Sequence, residues 1–111
     1  MSKRDWKLFL EDILESIELI EDYIKGMNLD DFRNDRKTID AVVRNLEIIG
    51  EAARNIPDEI KNRYQEIDWR GMIGLRNRII HEYFGVSTTI IWNILKQEIP
   101  PIKEKIKSIL K

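Results

Sequence analysis

The sequence predicts an all-α protein, an up-and-down bundle of four to five helices. Three observations support this fold class. Apolar residues recur every three or four positions along most of the chain, no stretch alternates between apolar and polar residues, and the chain has only 5 glycines and 3 prolines. A length of 111 residues suits one domain, residues 1–111, and the short connections favour antiparallel neighbours.

The apolar spacing places each helix in turn. Gly26 ends the first helix, and Pro57 ends the second because it disfavours helix at the preceding residue. Pro100 and Pro101 lack backbone donors, which predicts a kink or break in the last helix. The predicted helices are residues 5–25, about 39–56, 57 to about 64, about 68 to 80 or a little beyond, and 90–109 with that interruption. A connection or one short turn occupies residues 27–34.

Composition excludes several classes of protein. A net charge of −1 rules out nucleic-acid binding through overall basicity, although residues 61–81 carry a local charge of +3 against −5 for residues 1–31. The chain has no cysteine and one histidine, so neither disulfides nor a metal site is expected, and nothing suggests a cofactor. No apolar run approaches the roughly 18 residues that span a bilayer. We therefore expect a cytoplasmic protein without membrane contact.

Arg76 stands out on the fourth predicted helix. At 100° per residue from Trp69, it falls near the middle of the apolar arc, where an unpaired buried charge would cost several kcal/mol. One interpretation is a structural ion pair with Glu47 or Glu51 of the second helix. The other is a phosphate-binding arginine in a cleft or at a dimer seam. Long helices in so small a bundle also predict an uncovered apolar stripe, which a homodimer would cover.

Polar residues cluster within two turns of Arg76. Asn77 and His81 are four residues apart, so the amide can orient the imidazole, and Arg76 and Tyr83 fall on nearly the same line. Arg78 lies on the same arc as Asn77 and His81. Arg76 and His81, however, are separated by about 140° on an ideal helix. A lone histidine near a helix end favours a surface or capping role, and Tyr83 is equally explained by a core position with a wet hydroxyl.

Three segments carry a family resemblance. Residues 76–83, RNRIIHEY, resemble the Arg-x4-His-x-Tyr motif of the HepT-like toxins, a branch of the HEPN superfamily of small helical ribonucleases. Residues 44–53, RNLEIIGEAA, resemble the second-helix signature of that family, and residues 69–75, WRGMIGL, resemble its lead-in to the active-site helix. Arg-x4-His alone is common by chance, whereas three segments in this order and at this spacing are a specific signal.

The resemblance implies a metal-independent endoribonuclease, acting on tRNA or mRNA, in which Arg76 and His81 are catalytic and dimerisation builds the cleft. Asn77 and Arg78 are then supporting residues. The implied partner is a minimal nucleotidyltransferase antitoxin that silences the toxin by transferring AMP to Tyr83. The alternative is a non-catalytic helical subunit that binds or regulates such a nucleotidyltransferase, which the acidic isoelectric point of about 5.9 favours slightly.

Overall fold

A computed structural model describes residues 5–79 and 88–111. Over these residues the chain contains helices and connections and no strand, which confirms the all-α class, although it divides into more helices than the four to five predicted. In chain order the elements are α1 (Trp6–Ile24), α2 (Leu29–Arg33), α3 (Arg36–Arg54), α4 (Asp58–Arg63), α5 (Trp69–Ile73), α6 (residues 75–79), α7 (Thr88–Asn93), a π-helical turn (Ile94–Glu98) and α8 (Ile99–Leu110).

The two long helices α1 and α3 form the centre of the molecule. They share the most extensive contact in the described structure, and α8 packs against α1 while α5 packs against α3. Because apolar residues recur with the helical period, each helix buries one face. Leu10, Ile13 and Ile17 of α1 are completely buried, as are Leu46 and Ile49 of α3. This core fixes α3 as the support on which α5 rests.

Both ends of helix α1 have recognisable caps, and the helix ends close to Gly26 as predicted. The Asp5 side chain caps its first turn by accepting a hydrogen bond from the Lys7 amide at 2.9 Å. Gly26, with φ +79°, adopts the left-handed conformation that glycine favours after a helix. Along the exposed side of α1, the side chains of Leu8, Leu19 and Tyr23 remain 40%, 37% and 38% exposed. The homodimer that would cover such residues stays a prediction.

The predicted connection at residues 27–34 contains the short helix α2. Asn28 and Asp31 form a capping box, in which each side chain accepts a hydrogen bond from the other residue's amide. Phe32 of α2 is completely buried, and its ring centroid lies 5.2 Å from that of Trp92 in α7. This contact joins α2 to the last helical segment.

The predicted kink or break at Pro100 and Pro101 is observed as a π-helical turn just before them. Helix α8 begins at Ile99, so both prolines occupy its first turn, where the absence of an N–H costs little. The Ile99 amide donates to the Ile94 carbonyl in the π-helical turn before them. The irregularity is therefore a π-helical turn, and the prolines begin a helix instead of breaking one.

The fourth predicted helix is divided in two. The Asp68 side chain caps α5 by accepting a hydrogen bond from the Gly71 amide at 3.0 Å. A turn at Gly74 then separates α5 from α6, and the predicted end of the helix, near residue 80, lies outside the described residues.

Within the part of the chain that the structure describes, no helix is both long and apolar enough to cross a membrane.

Candidate active site

A groove lies beside the contact between α3 and α5. The contact is close at Gly50, where a Cβ atom would lie 3.0 Å from the carbonyl oxygen of Met72. Beside it the groove has a volume of about 420 Å³. Its polar lining comes from α3 on one side and from α5 and α6 on the other, namely Glu47, Glu51, Arg54, Arg70, Arg76 and Asn77. The three segments that carry the family resemblance thus meet here.

Arg76 lies in this groove and is exposed. The prediction that it occupies the middle of a buried face is therefore wrong. Leu75 and Ile79 of the same helix are buried, so the apolar face is real. Placing residues at 100° per residue from Trp69 assumed one continuous helix, but the turn at Gly74 interrupts that helix. Gly50 and Gly74 also line the groove without a side chain to fill it.

The guanidinium of Arg76 has no ion pair among the described residues. Glu47 and Glu51, its predicted structural partners, line the same groove, yet no described carboxylate oxygen lies within 4.0 Å of it. The sequence thus placed these groups together correctly, but the structural ion pair is not observed. An exposed guanidinium in a groove retains its donors for an anion such as phosphate.

The two residues that follow Arg76 have different positions. Asn77 is exposed and lines the groove. Arg78 instead binds Glu98 of the π-helical turn through two hydrogen bonds of 2.9 Å each. These hydrogen bonds lower the pKa of the Glu98 carboxyl below its usual value. Arg78 therefore links α6 to the last helical segment and is not part of the groove lining, and its supporting role stays a prediction.

His81 and Tyr83, the other two predicted site residues, lie outside the described residues. Their proposed roles stay predictions. Conversely, Arg54 and Arg70 line the groove although the sequence analysis did not select them as site residues. A signal for Arg54 was available, since it follows Glu51 by three residues and Gly50 by four and therefore lies on their face of α3.

The lysine-rich final helix lies away from the groove. Lys103 forms an ion pair with Glu21 of α1 at 2.8 Å, and the hydrogen bond within this pair raises the pKa of Lys103. The amino group of Lys105 donates to the carbonyl oxygen of Glu66 at 2.7 Å. Both lysines thus tie α8 to neighbouring elements.

An all-helical domain with exposed arginines in an open groove is suited to binding a polyanion. Comparison with known proteins gives the particular family. The family model "Ribonuclease HepT-like" matches residues 13–109. The chain therefore belongs to the HepT-like ribonuclease family, as its three motif segments predicted.

Individual relatives agree with this assignment. A protein of Thermococcus cleftensis named "Probable ribonuclease HepT" is 47% identical over 109 residues, covering 98% of this chain and 99% of the relative. A Methanocaldococcus jannaschii protein, whose name provisionally assigns it as an RNase, is 43% identical over 111 residues, covering 100% of this chain and 92% of the relative. No solved structure gives a significant match.

Proposed function

We propose that this protein is a metal-independent endoribonuclease toxin in which Arg76 and His81 cleave RNA by attack of the 2′-hydroxyl. The observation that carries the proposal is the exposed guanidinium of Arg76, in a groove built from the three family segments, with no ion pair among the described residues. Membership of the HepT-like ribonuclease family supports the same chemistry.

The reaction needs few groups because RNA carries its own nucleophile. The 2′-oxygen loses its proton and bonds to the adjacent phosphorus, and the bond from phosphorus to the 5′-oxygen breaks. That oxygen accepts a proton, which leaves a 2′,3′-cyclic phosphate and a 5′-hydroxyl. Arg76 balances the charge that develops on the phosphorane, and His81 moves a proton, a role that suits an imidazole.

Dimerisation is consistent with this chemistry. One histidine cannot remove the proton from the 2′-hydroxyl and protonate the leaving oxygen in a single concerted step, so a second chain, Tyr83 or a water must supply the other function. We propose that two chains form the cleft, so that the second histidine supplies the other function. Light scattering is expected to give twice the monomer mass of 13.3 kDa. A purified protein that cleaves RNA as a monomer at assay concentration contradicts this part of the proposal.

The nuclease itself is tested with purified protein in excess EDTA. We expect cleavage of an RNA oligonucleotide to continue, with 2′,3′-cyclic phosphate ends, because no step requires a metal ion. The matched control has a single 2′-deoxy substitution at the cleaved position, which removes the nucleophile and should leave the strand intact. Stable binding to a nucleotidyltransferase without any RNA cleavage would instead favour the alternative, a non-catalytic binding or regulatory subunit.

Regulation by a nucleotidyltransferase antitoxin is the second part of the proposal. Transfer of AMP to Tyr83 would place a phosphodiester and its negative charge in the same motif as Arg76, where it opposes RNA binding. Incubation with the partner and ATP should raise the intact mass by one AMP and reduce RNA cleavage. A mass gain that persists in Tyr83→Phe, or no gain at all, would refute the assignment of Tyr83.

A further inference from the structure

We infer that Arg54 and Arg70 form a second phosphate-binding subsite, which holds the backbone of single-stranded RNA next to the phosphate at Arg76. This inference rests on the proposed function and extends its groove. Arg54 belongs to the last turn of α3, Arg70 to the first turn of α5, and Arg76 to α6. Three separate elements thus direct a guanidinium to one groove of about 420 Å³.

Arg54 and Arg70 form no ion pair with another described residue. Several arginines elsewhere pair with a nearby acid, such as Arg33 with Asp30 at 3.5 Å and Arg63 with Glu59 at 3.4 Å. Arg54 has Glu51 at the same three-residue spacing as the first of these pairs. Yet among the described residues no carboxylate oxygen lies within 4.0 Å of Arg54 or Arg70.

The groove is also not neutral. Its lining carries three arginines against Glu47 and Glu51, so an excess of one positive charge remains. Both Arg54 and Arg70 are exposed, so an incoming anion does not first have to break a buried contact. Guanidinium groups bind phosphate through two parallel hydrogen bonds, which suits a groove open to solvent.

The groove offers guanidinium groups from three separate elements, so it can contact more than one phosphate of a chain. A single-stranded RNA positioned for cleavage at Arg76 necessarily places its neighbouring phosphates beside that site. The ligand class is therefore the RNA backbone, bound independently of base sequence.

The test measures binding of a fluorescent 2′-O-methyl RNA oligonucleotide, which cannot be cleaved, by anisotropy at several salt concentrations. Each lost phosphate contact should reduce the slope of log affinity against log salt by about 0.7. We expect this reduction in Arg54→Gln and in Arg70→Gln, with affinity weakened about tenfold at low salt. Arg54→Lys, which keeps the charge, should retain the slope.

Two further variants control for the interpretation. Arg44→Gln removes an exposed arginine of α3 that does not line the groove and should leave the slope unchanged. Glu51→Gln removes a negative charge from the groove and should strengthen binding about threefold, the opposite direction. Thermal unfolding of every variant shows whether the fold is intact, which the exposure of all four side chains leads us to expect.

The outcomes separate this inference from the nuclease proposal. Unchanged slopes in folded Arg54→Gln and Arg70→Gln overturn the subsite, even if the wild-type protein cleaves RNA. Wild-type protein that does not bind the oligonucleotide overturns it as well. If both variants instead lose affinity for the nucleotidyltransferase while their RNA slope is unchanged, the groove is a protein-binding surface and the inference is wrong. Reduced slopes without cleavage by wild type support the subsite and refute the nuclease.

Discussion

Arg76→Ala and His81→Ala are each expected to lower the rate of RNA cleavage by roughly a hundredfold or more. In the proposed mechanism, loss of Arg76 removes the positive charge that stabilises the phosphorane, and loss of His81 removes a group that transfers a proton. Initial rates of cleavage of a fluorescent RNA, measured in EDTA at saturating enzyme, give the comparison directly.

Stability should not account for the loss in Arg76→Ala. Its side chain is exposed and has no ion pair among the described residues, so truncation creates neither a cavity nor an unpaired buried charge. Circular dichroism and thermal unfolding of both variants test this. Arg63→Ala, which removes an exposed arginine of α4 outside the groove, is the matched control and should cleave at the wild-type rate. Wild-type cleavage by either site variant would remove the catalytic assignment.

The charge and the geometry of Arg76 are separable. Arg76→Lys keeps the positive charge but replaces a planar group that binds phosphate at two points by an ammonium group. We therefore expect its cleavage rate to fall between those of wild type and Arg76→Ala. A rate equal to that of Arg76→Ala would assign the effect to the paired hydrogen bonds of the guanidinium.

The helices were predictable because their signals are local. The apolar period of α1 and α3, the positive φ at Gly26 and the helix start after Pro57 each depend on a few neighbouring residues. The π-helical turn was not predictable, because it depends on how the residues before Pro100 pack against other elements. The prolines alone indicate an irregularity on their N-terminal side, without showing which form it takes.

The site was predictable only in part, for a physical reason. Sequence spacing gave the position of Arg76 around its helix axis, but not whether a neighbouring element covers that position. That depends on the tertiary contact at Gly50, which leaves the groove open beside it. The pairing of Arg78 with Glu98 joins residues twenty positions apart and likewise has no local signal. His81 and Tyr83 remain predictions from the motif.

Gly50→Val is expected to cause the largest loss of stability and to impair RNA cleavage as well. Even a Cβ at this position would lie 3.0 Å from the backbone oxygen of Met72, and backbone yields less readily than a side chain. Overpacking costs about 1–3 kcal/mol, and the two further methyl groups of valine favour the upper end. The higher helix propensity of valine compared with glycine stabilises the folded state by less than about 1 kcal/mol, so the net effect of Gly50→Val is destabilising.

The graded variant Gly50→Ala distinguishes packing from other causes. Its gain in helix propensity, about 1 kcal/mol, is close to the cost of a small displacement of α5, so its free energy of unfolding should remain near that of wild type. Arg44→Val, on the exposed side of α3, controls for the lower helix propensity of valine. Denaturant unfolding measures all three variants.

Cleavage by Gly50→Val, assayed well below its unfolding temperature, then tests what the close contact does for the site. Moving α5 away from α3 separates Arg54 from Arg70 and Arg76, so we expect slower cleavage and a weaker dependence of RNA binding on salt. If Gly50→Val is destabilised but cleaves RNA as wild type does, the contact supports the fold alone, and the groove beside it is not the place where RNA is held.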